Sequence, residues 1–587
     1  MSTSASGLRG RRVLLPLVGL VALGLVVAGV VVALYGRLTE EPGRPSWTRA
    51  EPAELVPPGD PAPRQSSRPN VVMVLADDMR SDDLRWMPHV RRLLADQGLD
   101  FRNSFSPNPL CAPARASLLS GQYSQNNDVF SVSEPHGFGR FDDRRTIGTS
   151  LNEAGYNTLF LGKYLNGYGT DRSRATGRVS FRYVPPGWTE WAGAVNRPPH
   201  SGYSSGGTYS YYHVLLNRNG YIDDSHRGQY QTPLEGRIAS RLVQRYHRSA
   251  KPFFLYWAPI APHFGLPREK DDPVHVHWPD GRREVLKTPA RPRSLRGRFD
   301  RRIPRASGLP ADGGPAERDV ADKPRPMRSL PELDRSERAG VRSLTRQRAE
   351  SLYALDLQVA RLVRTLRRTG EYRNTVVMFT SDNGYFLGEH RVRQGKIKPH
   401  EPSLRVPLLM AGPGIPHGRR YDPVTTEDVT ATILDLADAR PPHPPDGSSV
   451  LPSVAGDRGW RVPVLTEGLE GEPVFRRARR HPAPGFDDPR TTIGIRTPRW
   501  KYVRYVDGDG ELYDLDHDPN ELRSRFGDPR YARVPRELAR LWRAYEDCAG
   551  ASCRVAMPKD LQRDPAGDRA ATRSQERGVR ARYGYWR

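Results

Sequence analysis

Short, uninterrupted apolar runs that end in carboxylates are the clearest pattern in this chain. Residues 70–76 are followed directly by two aspartates, and residues 374–381 by an Asp-Asn pair. Continuous apolar runs of this length, without alternation, are typical of strands buried on both faces of a parallel sheet. Because ligands bind at the carboxyl ends of such strands, the pattern predicts that both acidic pairs lie at one edge of the sheet.

Other segments extend the same pattern. Residues 253–257 and 405–411 are predicted to be further strands, and 405–411 is followed by a Gly-Pro-Gly turn. Apolar residues recur at helical spacing from 352 to 366 and Gly370 follows, which predicts a helix before the second acidic strand. We therefore expect an α/β domain with a large, mostly parallel sheet over residues 69–460.

The pattern changes after residue 460. Short alternating segments and one helical segment, near 535–545, predict a small antiparallel α+β subdomain over 461–546. The last residues, 547–587, are polar, and we expect them to be loosely ordered. The predicted strands of the subdomain are residues 491–496, 500–505 and 511–515.

The amino terminus carries a long apolar segment. Residues 13–35 are uncharged and follow a basic segment, 1–12. As a helix they would extend about 34 Å, slightly more than a bilayer core. We expect a transmembrane signal anchor with the basic end cytoplasmic and the bulk of the chain extracellular at the cell membrane. A cleaved signal peptide, which would give a secreted protein, is the alternative. Residues 36–68 are predicted to be a linker.

Charge adds a constraint on partners. The formal net charge is +24, which attracts anions. Zinc-finger spacing, RNP-like strands and basic zippers are absent from the sequence, so we expect no specific nucleic-acid partner. Either a solvated basic surface near anionic lipid or wall polymer, or steering of a polyanionic substrate, agrees with the charge. The Arg- and Pro-rich residues 267–345 predict a partly mobile insertion.

The three cysteines divide into a close pair and one single residue. Cys548 and Cys553 are near each other in sequence, and in an exported chain they can form a disulfide. Cys111 begins the run Cys-Ala-Pro-Ala-Arg, in which Pro113 suits the first turn of a helix. A thiol at a helix amino terminus, one turn before Arg115, predicts a reactive side chain that faces an oxyanion.

The two acidic strand ends provide oxygen ligands. Asp77, Asp78, Asp382 and Asn383 offer carboxylate and amide oxygens, without the histidine or thiolate ligands of a zinc site. Such a set suits a hard divalent cation. Ca²⁺ is preferred over Mg²⁺ because the site is rich in carboxylates and an exported protein meets Ca²⁺ at high concentration.

The run Cys-x-Pro-x-Arg resembles the signature of the type I sulfatases, in which the cysteine is oxidised to formylglycine. The resemblance covers about residues 68–525 in the order found in that family, and it is strongest to the N-acetylglucosamine-6-sulfatase and arylsulfatase branch. The other matching segments are residues 70–78, 155–164, 261–263, 380–384, 395–408 and 511–521.

The resemblance implies an alkaline-phosphatase-like fold and specific residue roles. Cys111 would be the formylglycine precursor and also a metal ligand, with a formylglycine-generating enzyme as a partner. Arg115 would hold the formylglycine hydrate, and Lys163 and Lys396 would contact sulfate oxygens. His263 would be the leaving-group acid or its partner.

One departure from the family leaves the base unassigned. Many sulfatases have a histidine shortly after the motif lysine, whereas here Lys163 is followed by Tyr-Leu-Asn. His213, His226 and a water-mediated route are candidates for the missing base. The string 162–169 and residues 184–188 are similar to N-acetylglucosamine-6-sulfatases. This similarity implies a sulfated small molecule or glycan as substrate, such as a 6-O-sulfated N-acetylglucosamine.

The sequence thus favours a hydrolase that cleaves a sulfate monoester through a formylglycine hydrate and Ca²⁺. A phosphate mono- or diesterase on the same fold is one alternative, and Asn383 weighs against it because a zinc-dependent phosphatase would use a histidine ligand. A non-catalytic surface protein that binds polyanions is the other alternative, and the completeness of the residue set weighs against it.

Overall fold

The computed structural model describes residues 68–273, 276, 277, 283–469, 479 and 489–584. Strands β1 to β16 are Asn70–Ala76, Leu99–Phe105, Asn157–Lys163, Glu190–Ala194, Leu216–Arg218, Tyr221–Asp223, Phe253–Ala258, Val276–His277, Arg283–Glu284, Thr375–Ser381, Leu408–Ala411, Gly418–Thr425, Val464–Gly468, Thr492–Arg496, Trp500–Tyr505 and Gly510–Asp514. The longest helices among these residues, α1 to α7, are Cys111–Ser120, Ile147–Glu153, Gln231–Tyr246, Arg335–Arg368, Thr426–Leu436, Arg533–Arg543 and Pro565–Tyr583.

Ten strands form one large mixed sheet in the order β12-β2-β11-β10-β1-β7-β3-β4-β5-β6. The central strands β10, β1, β7, β3 and β4 are parallel, as the sequence predicts. The prediction of a mostly parallel sheet is wrong towards its margins, where β11, β5 and β6 pair in antiparallel fashion. The predicted strand 405–411 is shorter, at Leu408–Ala411. It is antiparallel because the chain returns from β10 without a long crossover helix.

The central sheet is covered on both faces, which explains its uninterrupted apolar runs. On one face, Val71 and Met73 of β1 belong to a core with residues of α1, α2 and α5. On the other face, Val72 and Val74 join a core with residues of α3 and α4. Every residue of β1, β7 and β10 is buried. This burial holds the strands in fixed register and fixes the positions of the residues that follow them.

The carboxyl-terminal strands β13 to β16 form the predicted small antiparallel sheet. Residues of α6, including Leu538 and Trp542, pack in the core of this subdomain. Phe105, the last residue of β2, belongs to the same core, so the subdomain packs directly against the large sheet. Cys548 and Cys553 form a disulfide, which leaves Cys111 as a buried free cysteine.

The polar tail does not remain without structure. Residues 565–583 form α7, whose first turn is capped by the Asp564 side chain, which accepts a hydrogen bond from the Gly567 N–H. Buried polar residues of α7 attach it to the large sheet; Thr572, for example, accepts a hydrogen bond from Asn103 of β2. Because these anchors are polar, apolar periodicity gave no sign of the helix.

The predicted insertion, 267–345, packs against the domain in its described part. Leu286, Leu309 and Leu333 are buried in a small core with Leu387. These residues are packed, and apolar periodicity gave no sign of this because their apolar side chains are isolated in the sequence. The partial mobility expected of the insertion stays a prediction. Its last residues begin α4, which starts at Arg335 and not near 352.

The predicted basic segment 1–12, the membrane-spanning segment 13–35 and all but the last residue of the linker 36–68 lie outside the described residues. Within the part of the chain that the structure describes, no helix has both the length and the apolar character needed to cross a bilayer.

Candidate active site

The acidic residues that follow β1 and β10 lie side by side. The last residues of these parallel strands are paired in register, so the side chains that follow them share one edge of the sheet. Asp77, Asp78, Asp382 and Asn383 are all fully buried. The Asp78 N–H donates to Asp382 Oδ1 at 3.0 Å, and the Asn383 side-chain amide donates to Asp78 Oδ1 at 2.8 Å. The predicted convergence of the two strand ends is present.

Cys111 is the first residue of α1 and points into this acidic cluster. Its Sγ lies 3.3 Å from Asp77 Oδ1, 3.8 Å from Asp78 Oδ1 and 2.6 Å from Lys396 Nζ. Burial, together with the charge of Asp77, raises the pKa of the Cys111 thiol above its usual value. Because the thiolate is the nucleophilic form, an unmodified Cys111 is a poor nucleophile in this position.

Arg115 and Lys163 neutralise the acids from the side of α1 and β3. Arg115 Nε donates to Asp382 Oδ2 at 2.8 Å, and its guanidinium also donates to the Lys163 carbonyl at 2.8 Å. Lys163, the last residue of β3, places its Nζ 2.6 Å from Asp77 Oδ2. Both side chains are 1% exposed, so these ion pairs operate away from solvent screening.

The carboxyls of the site differ in how far their neighbours stabilise the ionised form. Burial alone would raise the pKa of Asp77, but the surrounding positive charges, above all that of Lys163, hold it well below its usual range. For Asp382, burial and the charge of Asp77 raise the pKa to about 6, despite the nearby Arg115. A carboxyl whose pKa is raised by neighbouring carboxylates gains from an added cation.

The donor set fits a hard divalent cation. Asp78 Oδ2 and Asn383 Oδ1 are buried and accept no hydrogen bond from any described residue. Candidate ligand atoms of Asp77, Asp78, Cys111 and His263 all lie within 4.8 Å of one another. Buried oxygens without a donor beside clustered carboxylates are the ligands that such cations prefer. The cluster is therefore an acidic candidate metal-binding site.

Lys396 and His263 reach the cluster from loops. Lys396 Nζ forms an ion pair with Asp78 Oδ1. His263 is buried, with Nδ1 2.7 Å from the Phe264 carbonyl oxygen and Nε2 3.8 Å from Asp78 Oδ2. Since a carbonyl only accepts, Nδ1 carries the hydrogen, and Nε2 faces the cluster with its lone pair. Burial lowers the pKa of His263 to about 4.

Tyr209 is a site residue that sequence reasoning missed. Its ring centroid lies 5.1 Å from Lys163 Nζ and 4.8 Å from the His263 ring centroid. Its hydroxyl accepts a hydrogen bond from the Asn166 side-chain amide at 2.7 Å. Tyr209 lies in a loop rich in Gly, Ser and Tyr, where composition distinguishes no single tyrosine from its neighbours.

The two other histidines considered for the missing base are engaged elsewhere. His213 Nε2 forms an ion pair with Asp224, and His226 Nε2 lies 3.1 Å from Asp223 Oδ2. Among the described contacts, neither ring reaches the acidic cluster. Tyr209, in contrast, lies against Lys163 and His263.

Two protein-family models match the sequence that forms this fold and site. The model "Sulfatase" matches residues 69–439, and the model "N-sulphoglucosamine sulphohydrolase, C-terminal" matches residues 388–546. The chain therefore belongs to the sulfatase family, with its alkaline-phosphatase-like fold. It is a sulfuric ester hydrolase, and the alternative of a non-catalytic surface protein is thereby set aside.

Individual sulfatases are similar to this chain over most of its length. An arylsulfatase of Volvox carteri is 28% identical over 522 residues, covering 83% of this chain and 76% of the relative. The N-acetylglucosamine-6-sulfatase of Homo sapiens is 27% identical over 528 residues, covering 83% and 86%. A solved structure, described as a complex with its substrate D-glucosamine-2-N,6-O-disulfate, aligns with a TM-score of 0.56 at 21% identity over 82% of this chain and 99% of that one. The last likeness shows a shared fold.

Proposed function

We propose that this protein removes sulfate from a sugar sulfate monoester, with 6-O-sulfated N-acetylglucosamine as the preferred substrate. The observation that carries the proposal is the position of Cys111, which lies at a helix amino terminus within reach of two aspartates and a lysine. The similarity to N-acetylglucosamine-6-sulfatases supports the choice of sugar.

We propose that Cys111 is converted to formylglycine by a formylglycine-generating enzyme. The raised pKa of the thiol makes the unmodified residue a weak nucleophile. A hydrated aldehyde at this position supplies an oxygen nucleophile instead. Arg115 lies one turn further along α1, so its guanidinium faces the same space as the modified side chain and can hold it by hydrogen bonds.

Asp77, Asp78, Asp382 and Asn383 would hold a Ca²⁺ ion together with the modified Cys111, with Mg²⁺ as a weaker fit. When bound, such a cation polarises a sulfate oxygen and favours the ionised form of an oxygen ligand. The unpartnered oxygens of Asp78 and Asn383 support this assignment.

The remaining residues of the cluster would stabilise the negative charge of the sulfate group and supply a proton to the leaving group. Lys163 and Lys396 carry positive charge at the rim of the acidic cluster, where they can contact sulfate oxygens. His263 presents Nε2 towards the same space and, once Nε2 has taken up a proton, would donate it to the leaving oxygen. Tyr209 packs against both Lys163 and His263 and would fix their positions.

We further propose that the protein works outside the cytoplasm. The Cys548–Cys553 disulfide suits an oxidising compartment. Residues 13–35 would anchor the chain in the cell membrane, or be cleaved to release a secreted protein. Residues 69–460 would be the catalytic domain and 461–546 its carboxyl-terminal subdomain.

A release assay tests the proposed function. Purified protein is incubated with N-acetylglucosamine 6-sulfate, a positional isomer sulfated at O3, and the matching 6-phosphate, with and without EDTA. We expect release of sulfate from the 6-sulfate, suppressed by EDTA and absent in Cys111→Ala. Faster hydrolysis of the phosphate ester would favour a phosphatase. Preference for the 3-sulfate would overturn the choice of sugar while leaving the sulfatase assignment intact.

A further inference from the structure

An arginine-lined cavity of about 460 Å³ lies beside the edge strand β12, away from the acidic cluster. Its walls come from β2, β12, α7 and the residues near 91–96. Strand β12 is four positions from β1 in the sheet. With neighbouring strands about 4.8 Å apart, the cavity, which β2 and β12 line, is on the order of 14–19 Å from β1. It is therefore separate from the site described above.

Six arginines line this cavity, and three carboxylates pair with two of them. Arg102 donates to Asp100 and to Glu576, each at 2.7 Å. Arg569 lies 3.2 Å from Asp457. The six arginines are Arg91, Arg102, Arg419, Arg420, Arg569 and Arg573.

Two further arginines are oriented by neutral acceptors. Arg420 donates to the carbonyl oxygens of Ser453, at 2.5 Å, Val454 and Arg419, the last at 3.0 Å. Arg573 Nε donates to the Tyr421 hydroxyl at 3.0 Å. Carbonyl and phenol oxygens fix the direction of a guanidinium without cancelling its charge. Both groups thus remain available to an anion and are already held in place.

Arg91 and Arg419 complete the rim. Both are exposed, and the described contacts give neither of them an acidic partner. Asp96 is the one described lining carboxylate outside the ion pairs above. The six arginines therefore meet four carboxylates, Asp96, Asp100, Asp457 and Glu576, and this excess of positive charge favours an anionic ligand.

We infer that this cavity is a second binding site for an anionic polysaccharide, which takes a sulfate or carboxylate group of the chain whose sulfated sugar occupies the catalytic site. Arginine forks match the oxygens of such groups. The choice of polysaccharide rests on the proposed function. A monosaccharide is too short to bridge the two sites, so the cavity contributes only to polymeric ligands, through effective concentration.

The test compares two double charge reversals. Arg91→Glu with Arg419→Glu alters the cavity, and Arg536→Glu with Arg540→Glu on α6 makes the same net charge change at exposed arginines elsewhere. Affinity for labelled heparin is measured in EDTA at 0.1 M NaCl. We expect the cavity variant to lose about tenfold in affinity, the control less than about twofold, and turnover of N-acetylglucosamine 6-sulfate to stay unchanged in both.

Equal losses in the two variants would show that bulk charge alone attracts the polymer, and would overturn the inference. Loss of binding to phosphatidylserine vesicles with heparin binding intact would also overturn it, in favour of a lipid surface. Because heparin binding is measured without turnover, its outcome is independent of the release assay. If no sulfate were released from any sugar, the proposed function would be refuted. The comparison of heparin affinities between the two variants would still test the second site.

Discussion

At the scale of single residues, the cluster depends on opposed charges that are buried together. Asp77 remains ionised because Lys163 lies 2.6 Å away, and the Cys111 thiol remains protonated because it is buried and Asp77 is close. The same carboxylate therefore suppresses the intrinsic reactivity of the sulfur and offers an oxygen to a cation. This arrangement gives the thiol little use as a thiolate and suits an oxygen nucleophile in its place.

The Tyr209 hydroxyl gives a testable positioning role. In Tyr209→Phe the ring still packs on Lys163 and His263, but the Asn166 amide loses its acceptor. Losing this part-buried hydrogen bond, of about 1 kcal/mol, from the site predicts a fall in kcat of about fivefold, with KM within about twofold. The matched control is Tyr212→Phe, whose hydroxyl donates to the Arg291 carbonyl away from the cluster. Equal kinetic effects in both variants would refute the role of Tyr209.

A buried histidine outside the site predicts a pH-dependent stability. His390 Nδ1 lies 2.8 Å from Glu317 Oε2. Burial alone would lower the pKa of His390, but the charge of Glu317 raises it above 6.5. The folded state therefore binds this proton more tightly than the unfolded state. The resulting stabilisation is complete below pH 6.5 and is lost as pH rises through the folded pKa.

We accordingly expect His390→Gln to lower the free energy of unfolding by about 1–3 kcal/mol at pH 5.5 and by less at pH 8.5. Urea unfolding at both pH values measures the difference. His417→Gln, at an exposed position, serves as the control and should show no such trend. A destabilisation by His390→Gln that grew with rising pH would contradict the assigned ion pair.

At the scale of elements, the close approach of β3 and β7 places Lys163 in the cluster. Gly162 has φ +101°, and a Cβ there would lie 2.3 Å from the Ala258 carbonyl oxygen of β7. Only glycine allows this backbone conformation together with this contact. Because residue 162 has no side chain, β3 can approach β7 closely, and this approach positions the next residue, Lys163.

Gly162→Ala should both destabilise the fold and displace Lys163. We expect a loss of at least about 2 kcal/mol in the free energy of unfolding and a fall in sulfate release per folded molecule. Gly177→Ala is the matched control, because Gly177 also has a positive φ, +66°, but a Cβ added there would meet nothing within 4 Å. It should cost only about 1 kcal/mol and leave activity unchanged. Comparable losses in the two variants would argue against the close approach.

The elements also show how far sequence reasoning reaches. Strands β1, β7 and β10 are predictable because burial on both faces leaves a continuous apolar run, and their parallel register brings Asp77 next to Asp382. The short strands β5 and β6 lack such runs. Helix α7 is attached by polar contacts, which produce no periodic signal.

The candidate site divides in the same way. The acidic residues could be predicted because they follow recognisable strands. Cys111 could be predicted because it stands at the start of a recognisable helix, one turn before Arg115. Lys163, His263 and Lys396 were found through family resemblance, since periodicity gives no reason to prefer one loop lysine over another. Tyr209 was missed because its position depends on how a loop folds over Lys163, which local sequence does not determine.

At the scale of the whole molecule, the clustered carboxylates couple cation binding to stability, because a cation relieves the repulsion that Asp77 exerts on Asp382. An ion that binds only the folded state stabilises it, by about 2.7 kcal/mol at a hundred times its Kd. We therefore expect Ca²⁺ to raise the Tm of the EDTA-treated protein, and Asp382→Asn to abolish most of that rise.

Asp143→Asn provides the matched control for the calcium effect. Asp143 is also a buried carboxyl whose pKa burial raises to about 6, and its oxygens accept from Tyr183 and Tyr164 outside the cluster. Its variant should keep the full Ca²⁺-dependent rise in Tm, measured by differential scanning fluorimetry. A rise that survives in Asp382→Asn, or disappears in Asp143→Asn, would place the cation elsewhere.

The most direct test of the account is mass spectrometry of the Cys111 peptide from protein that is releasing sulfate. We expect an aldehyde in place of the thiol in a fraction of molecules, and specific activity that rises in proportion to this fraction across preparations. Full activity in a preparation whose Cys111 is entirely unmodified would contradict it.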